Sequence, residues 1–128
     1  MPLFNRTIAT VSPILSNDDL VSHTGDSLLT AKTGRFIKDA SLIDSSNIEY
    51  FLEAYMSNVD TTGEIFIFIN SEVSPRASII VNTNLPTIIK GSFNLNDLSD
   101  GIHEFFLKIK ADNATWNINL GLIEIYQR

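Results

Sequence analysis

From Asn47 to Gln127 the chain reads as one β-strand after another, each a short alternating run closed by turn residues. Asn47–Met56 sets Ile48, Tyr50, Leu52, Ala54 and Met56 on one face and Glu49, Phe51, Glu53 and Tyr55 on the other. The same stretch also fits a helix with Ile48, Phe51, Leu52 and Tyr55 on one side, but its aromatic content favours a strand. Glu64–Asn70 is apolar on both faces, as expected of a central strand buried between two layers. Ala77–Val81 resumes after Ser74 and Pro75. Thr87–Leu95 then turns Ile89, Gly91, Phe93 and Leu95 inward and Lys90, Ser92 and Asn94 outward. Ile102–Ala111 faces His103, Phe105, Leu107 and Ile109 inward and Glu104, Phe106, Lys108 and Lys110 outward. Trp116, Ile118 and Leu120 continue the core, and after Gly121 a last strand presents Ile123 and Ile125.

After residue 57 no helical segment separates these strands, and parallel pairing needs such a crossover. The expected fold is therefore all-β: an antiparallel two-sheet β-sandwich, jelly-roll-like, with a partly extended N-terminal segment. Composition agrees. Ile occurs 17 times and Ala 7, and Ile, Val and Thr together supply 32 of 128 residues. Branching at Cβ costs rotamer freedom in a helix and packs well on a pleated surface.

Residues 1–46 differ in character, being rich in Ser, Thr and Asp with only short apolar clusters. They are expected to give two or three short strands with long connections, or an extended arm lying on a neighbour. Residues 1–20 are read as an N-terminal arm or edge strand, with Leu3, Phe4, Ile8, Val11, Ile14 and Leu15 as interface residues. Residues 21–128 are read as a single β-sandwich domain.

A net charge of −6 argues against nucleic acid and against an anionic membrane surface, both of which recruit Lys and Arg. There is no cysteine, hence no disulfide framework, thiolate metal site or Cys nucleophile. The first fifteen residues have one Arg, an early Pro and no apolar run of seven, so no signal peptide is expected. No apolar run approaches the ~18 residues of a membrane-spanning helix. Met1 reads as an initiator and the chain as complete.

The sequence carries no catalytic constellation. His23 lies in a polar stretch and His103 at a strand start, neither beside a nucleophile elbow. His103 reads as a half-buried strand histidine. Glu49 and Glu53 lie about 13 Å apart along a strand, too far for the paired carboxylates of a glycosidase. Asn17, Asp18 and Asp19, and later Asp97, Asp100, Asp112 and Asn113, are oxygen donors of the type calcium uses, but in turns where Asp and Asn serve local hydrogen bonds. The expectation is no enzyme, no metal and no cofactor. The residues suited to stack against a sugar ring are Phe51, Tyr55 and Tyr126, whereas Trp116 is in register with the core.

The closing run DGIHEFFLKIKADNATWNINLGLIEIY resembles the end of jelly-roll domains in two settings. One is the accessory structural proteins of tailed-phage virions: capsid decoration or cement proteins, head fibres and tail modules. The other is the carbohydrate-binding-module superfamily. The resemblance covers about the last 60 residues and carries over no binding residue. The first setting implies a non-enzymatic virion protein, assembled in the host cytoplasm, that binds other capsid subunits and forms a homo-oligomer, a trimer being favoured. The second implies a glycan partner, for which Phe51, Tyr55 or Tyr126, read from the strand pattern, are the stacking candidates.

Overall fold

The computed structural model describes residues 12–41 and 46–128, and all regular structure in them is β. The strands are β1 (Ser12–Asn17), β2 (Val21–His23), β3 (Leu29–Lys38), β4 (Asn47–Met56), β5 (Gly63–Ile69), β6 (Ala77–Val81), β7 (Thr87–Asn94), β8 (Gly101–Ala111) and β9 (Ile118–Gln127). Two antiparallel sheets face each other. One runs β1-β9-β4-β7 with β2 also on β9, and the other runs β3-β8-β5-β6. From β2 onward the chain changes sheet at every step except the β5–β6 hairpin, an order like that of a jelly roll.

The alternation read from sequence fixes the inner faces. Ile48, Leu52, Ala54 and Met56 of β4 and Phe105, Leu107 and Ile109 of β8 are buried, and Ile65, Ile67 and Ile69 of β5 complete the layer between the sheets. Two strand glycines make room for aromatic rings. Gly34 of β3 lies under the Phe105 ring, and Gly91 of β7 lies under the Tyr50 ring. A β-carbon at either site would overlap the aromatic side chain, so the small residue on one strand makes room for the large one on its neighbour.

Three expectations change. First, β5 meets the facing sheet on only one side. Ile65, Ile67 and Ile69 meet the other sheet, whereas Phe66 and Phe68 lie on the outer face of their own sheet. Second, Gly121 does not end a strand. β9 runs through it, and Glu53 of β4 stands opposite both Gly121 and Leu122, a β-bulge that moves the inward positions from Ile118 and Leu120 to Ile123 and Ile125. Third, Trp116 is outside the core. It precedes β9 in a bend and is 40% exposed.

The N-terminal third contains a long strand as well as short ones. β3 spans ten residues along β8 with a register shift at Ala31. β1 and β2 flank β9 on the side away from β4. Ile14 and Leu15 are half-buried and pack on the core from β1. Leu3, Phe4, Ile8 and Val11 lie outside the described residues.

Gly34→Ala is expected to cost about 1–3 kcal/mol through overpacking against Phe105. Urea unfolding would show a lower midpoint at an unchanged slope. The cost should shrink when Phe105→Leu is combined with it, since the smaller side chain restores the space.

Candidate functional site

The side chains that the core does not use lie on the two outer faces and at the two ends. On the β4-containing sheet, Phe51 of β4 pairs across to Lys90 of β7 and to Glu124 of β9. The Phe51 and Tyr126 rings meet edge to face, 6.0 Å apart at 78°. Tyr126 Oη donates to Glu124 Oε1 at 2.8 Å, and that bond to a carboxylate raises the phenol pKa above its ordinary value. Arg128 Nη1 donates to both oxygens of Glu49 at 3.0 and 3.1 Å. Between these groups a shallow depression of about 280 Å³ is lined by Glu49, Phe51, Lys90, Gly91 and Ser92. Of the three stacking candidates, the structure brings Phe51 and Tyr126 together. Tyr55 lies further along β4, opposite Asn119.

The other outer face holds a second aromatic group. Phe66 and Phe68 of β5 lie 6.1 Å apart, and Phe106 of β8 stands opposite Phe68. Lys108 Nζ sits 5.0 Å from the Phe68 centroid and 6.0 Å from that of Phe106. The ammonium rests against the ring faces while its methylenes cover them. A depression of about 400 Å³ opens beside it, lined by Phe68, Asn70, Glu72, Glu104, Phe106 and Lys108. The signal was present in the sequence: outward residues of two strands that pair in register.

At the end formed by the β5–β6 and β7–β8 loops, His103 is buried and both its nitrogens are engaged. Asn70 Oδ1 accepts from the Glu104 amide at 3.0 Å, which turns Asn70 Nδ2 toward His103 Nδ1 at 2.8 Å. Nδ1 therefore accepts, and Nε2–H donates to the Ser99 carbonyl at 2.7 Å. Asn70 itself adopts a left-handed φ of 54°, which asparagine tolerates in turns. The imidazole is held in place by these two hydrogen bonds and helps to fix the turn. At the opposite end, His23 is 2.8 Å from the Ser27 carbonyl through Nε2.

The acidic turns are occupied by similar local work. Arg76 Nη2 and Nη1 reach Glu72 Oε2 at 2.6 Å and Asp97 Oδ1 at 2.7 Å. Hydrogen bonding to Arg76 holds both carboxyls below their ordinary values and raises the guanidinium further. Asp100 accepts from the Ala40 amide, and Asn113 accepts from the amides of Thr115 and Trp116. Among the described residues no three of His, Cys, Asp and Glu come together as metal ligands. Among them, too, no helix is long and apolar enough to cross a membrane.

No protein-family model matches the sequence. No curated protein is significantly similar to it. Several solved structures share its fold. A chain from the structure of infectious bursal disease virus, Gt strain, gives a TM-score of 0.60 at 11% identity over 99% of this chain, which spans 37% of the viral one. The CBM36-1 domain of a multidomain xylanase from the hindgut metagenome of Trinervitermes trinervoides gives 0.51 at 14% identity, over 91% of this chain and 94% of that domain. A carbohydrate-binding module, CBM36 in complex with calcium and xylotriose, gives 0.50 at 17% identity, over 91% of this chain and 98% of that one. At these identities the shared property is the fold, a jelly-roll-like antiparallel sandwich.

The Arg76 network sets an acid dependence. Glu72 and Asp97 have folded pKa values below their ordinary values near 4.5 and 3.8, so their contribution is present above those values and is lost as pH falls through the depressed ones. Arg76→Met should lower the melting temperature by a few degrees near neutral pH. That gap should close on acidification and narrow in high salt; a gap that widened in acid would contradict the assignment.

Proposed function

We propose that this chain is a non-enzymatic structural protein of a virion, a capsid decoration or cement protein that binds and stabilises neighbouring subunits. The observation that supports this reading most is the extent of the likeness to the viral chain, at the highest TM-score quoted above. The hydrogen bonding of His103 supports it also, since this buried ring has both nitrogens engaged in holding the fold. In this reading residues 1–20 carry the contact, with Leu3, Phe4, Ile8 and Val11 facing the neighbour and Ile14 and Leu15 anchoring the arm on the core, and the protein acts as a homo-oligomer, a trimer by preference. Its place is the virion, assembled in the host cytoplasm. An acidic chain with no dense basic patch is suited to protein partners rather than to nucleic acid or an anionic membrane.

The position of β1 divides the arm for testing. Removal of residues 1–11 takes away Leu3, Phe4, Ile8 and Val11 and leaves β1 on β9. Removal of residues 1–20 also takes β1 from Ile123–Gln127. We expect the shorter deletion to keep the wild-type melting temperature but to lose cosedimentation with shells assembled from the subunits encoded beside it. The longer deletion should lower the melting temperature as well. Shell binding by the shorter deletion at wild-type strength would remove the arm from the reading.

A second reading is a carbohydrate-binding module. It is favoured by the Phe51–Tyr126 ring pair beside Glu49, Lys90 and Ser92 on an open sheet face, and by the fold likeness to the CBM36 modules. It expects binding on a glycan array that drops at least about tenfold in Phe51→Ala and Tyr126→Ala, with Tyr55→Ala as a further probe. Silence across a broad array would dismiss it.

A further inference from the structure

The loops β2–β3, β4–β5, β6–β7 and β8–β9 gather at the end of the sandwich away from His103, and hydrogen bonds join them. Gly25 N donates to the Asn113 carbonyl, Ser57 N to that of Asn117, Met56 N to that of Thr83 and Asp112 N to that of Thr62. Thr62 Oγ1 also donates to Asp112. Each of these loops carries one large apolar side chain into solvent: Leu28 is 48% exposed, Val59 63%, Leu85 69% and Trp116 40%.

These side chains are held in place rather than left loose. Asn113 Oδ1 accepts from the amides of Thr115 and Trp116 at 2.8 Å. Asn58 Oδ1 accepts from Asp60 N at 2.8 Å across Val59. Thr83 Oγ1 accepts from Leu85 N, and Thr87 Oγ1 donates to the Leu85 carbonyl. Exposed apolar groups on pinned loops lose little entropy when a partner covers them. Four large apolar side chains exposed on loops that are hydrogen-bonded to one another give this end an interaction surface.

The charge around the patch limits the partner. Loop residues 24–28, 57–62, 82–86 and 112–117 contain Asp26, Asp60 and Asp112 and no Lys or Arg. Only Asp112 has a cation nearby, Lys110 Nζ at 3.8 Å. This rim repels an anionic membrane, nucleic acid and the same end of a second copy. We propose that this loop end is a docking surface for a protein patch that is both basic and apolar, with the leucines, Val59 and Trp116 supplying contact and the aspartates selecting the charge. The proposal is independent of whether the partner is a capsid subunit.

The test uses the full chain and short synthetic peptides that alternate Lys or Arg with Leu or Phe. Binding is measured by fluorescence anisotropy at several salt concentrations. Peptides with the basic residues changed to Glu, or the apolar ones changed to Ser, serve as comparisons. The expected result is binding of the basic apolar peptides alone. Trp116→Ala combined with Leu85→Ala should weaken it about tenfold or more at an unchanged melting temperature. Asp26→Asn combined with Asp60→Asn should flatten its salt dependence. Glu53→Gln combined with Glu124→Gln, an equal loss of charge on the sheet face, should leave both unchanged. Weakening by that control as large as by the loop variants would overturn the proposal, as would binding indifferent to Trp116 and Leu85. It would equally fall if the loop variants instead abolished binding to phosphatidylserine vesicles, to arrayed glycans or to a second copy in sedimentation.

Discussion

The pairing of β9 with strands from the start and the middle of the chain is the interaction on which the rest of the structure depends. β4 runs along one side of β9, and β1 and β2 share the other. The ladder thus ties Ser12 to Gln127 across nearly the whole sequence. Closing such long loops costs entropy that only the completed ladder and the buried face repay. Ile118, Leu120, Ile123 and Ile125 bring that repayment, each buried against the opposite sheet. The bulge at Gly121 lets one strand keep all four inward despite their change of parity, with the Glu53 carboxylate lying close over the glycine. Without β9, β1 and β2 would have no sheet to join, so the domain holds together as one unit.

The sequence revealed the strands with cleanest alternation. Asn47–Met56 and Ala77–Val81 fall where the pattern put them, because one buried face and one solvated face write a period of two directly into the residues. Elsewhere other forces wrote over that period. Trp116 continues the parity of Ile118 and Leu120, but Asn113 accepts its amide and keeps it in a bend ahead of the strand. Phe66 and Phe68 look like one half of a second core, yet a single lysine covers what a further layer would otherwise have to cover. β3 was hidden because an edge strand needs few apolar residues, its alternation slips at Ala31, and one inward position is the glycine beneath Phe105. Of the sugar-stacking residues named from sequence, parity placed Phe51 and Tyr126 away from the main core faces, but that β4 and β9 lie side by side and bring the two rings together is a property of the sheet order. The apolar loop end was not, since which loops meet at one end depends on the order of strands in the two sheets.

The molecule thus divides its polar residues by task. Those at the His103 end lock a turn: Asn70 fits a left-handed backbone, fixes an imidazole and caps an amide at once. Those at the other end fix the course of loops whose apolar side chains face away from the core. The outer sheet faces lie between these extremes, with aromatic rings partly covered by Lys108 on one side and by the carboxylate-bearing neighbours of Tyr126 on the other. This division explains how a chain with fewer charged residues than most keeps an ordered surface. Short Asn, Ser and Thr side chains satisfy backbone groups locally, where longer charged ones would have to be immobilised.

The fixing of loops by Asn58, Thr83, Thr87 and Asn113 also bears on how such a chain can change over generations. Because these residues determine where the loops run, Val59, Leu85 and Trp116 contribute little to keeping the protein folded. A substitution at one of the three alters what the molecule displays and leaves the scaffold as it was. Lineages carrying this sandwich can therefore try new surfaces one residue at a time, and a partner that drifts can be followed without re-inventing the fold.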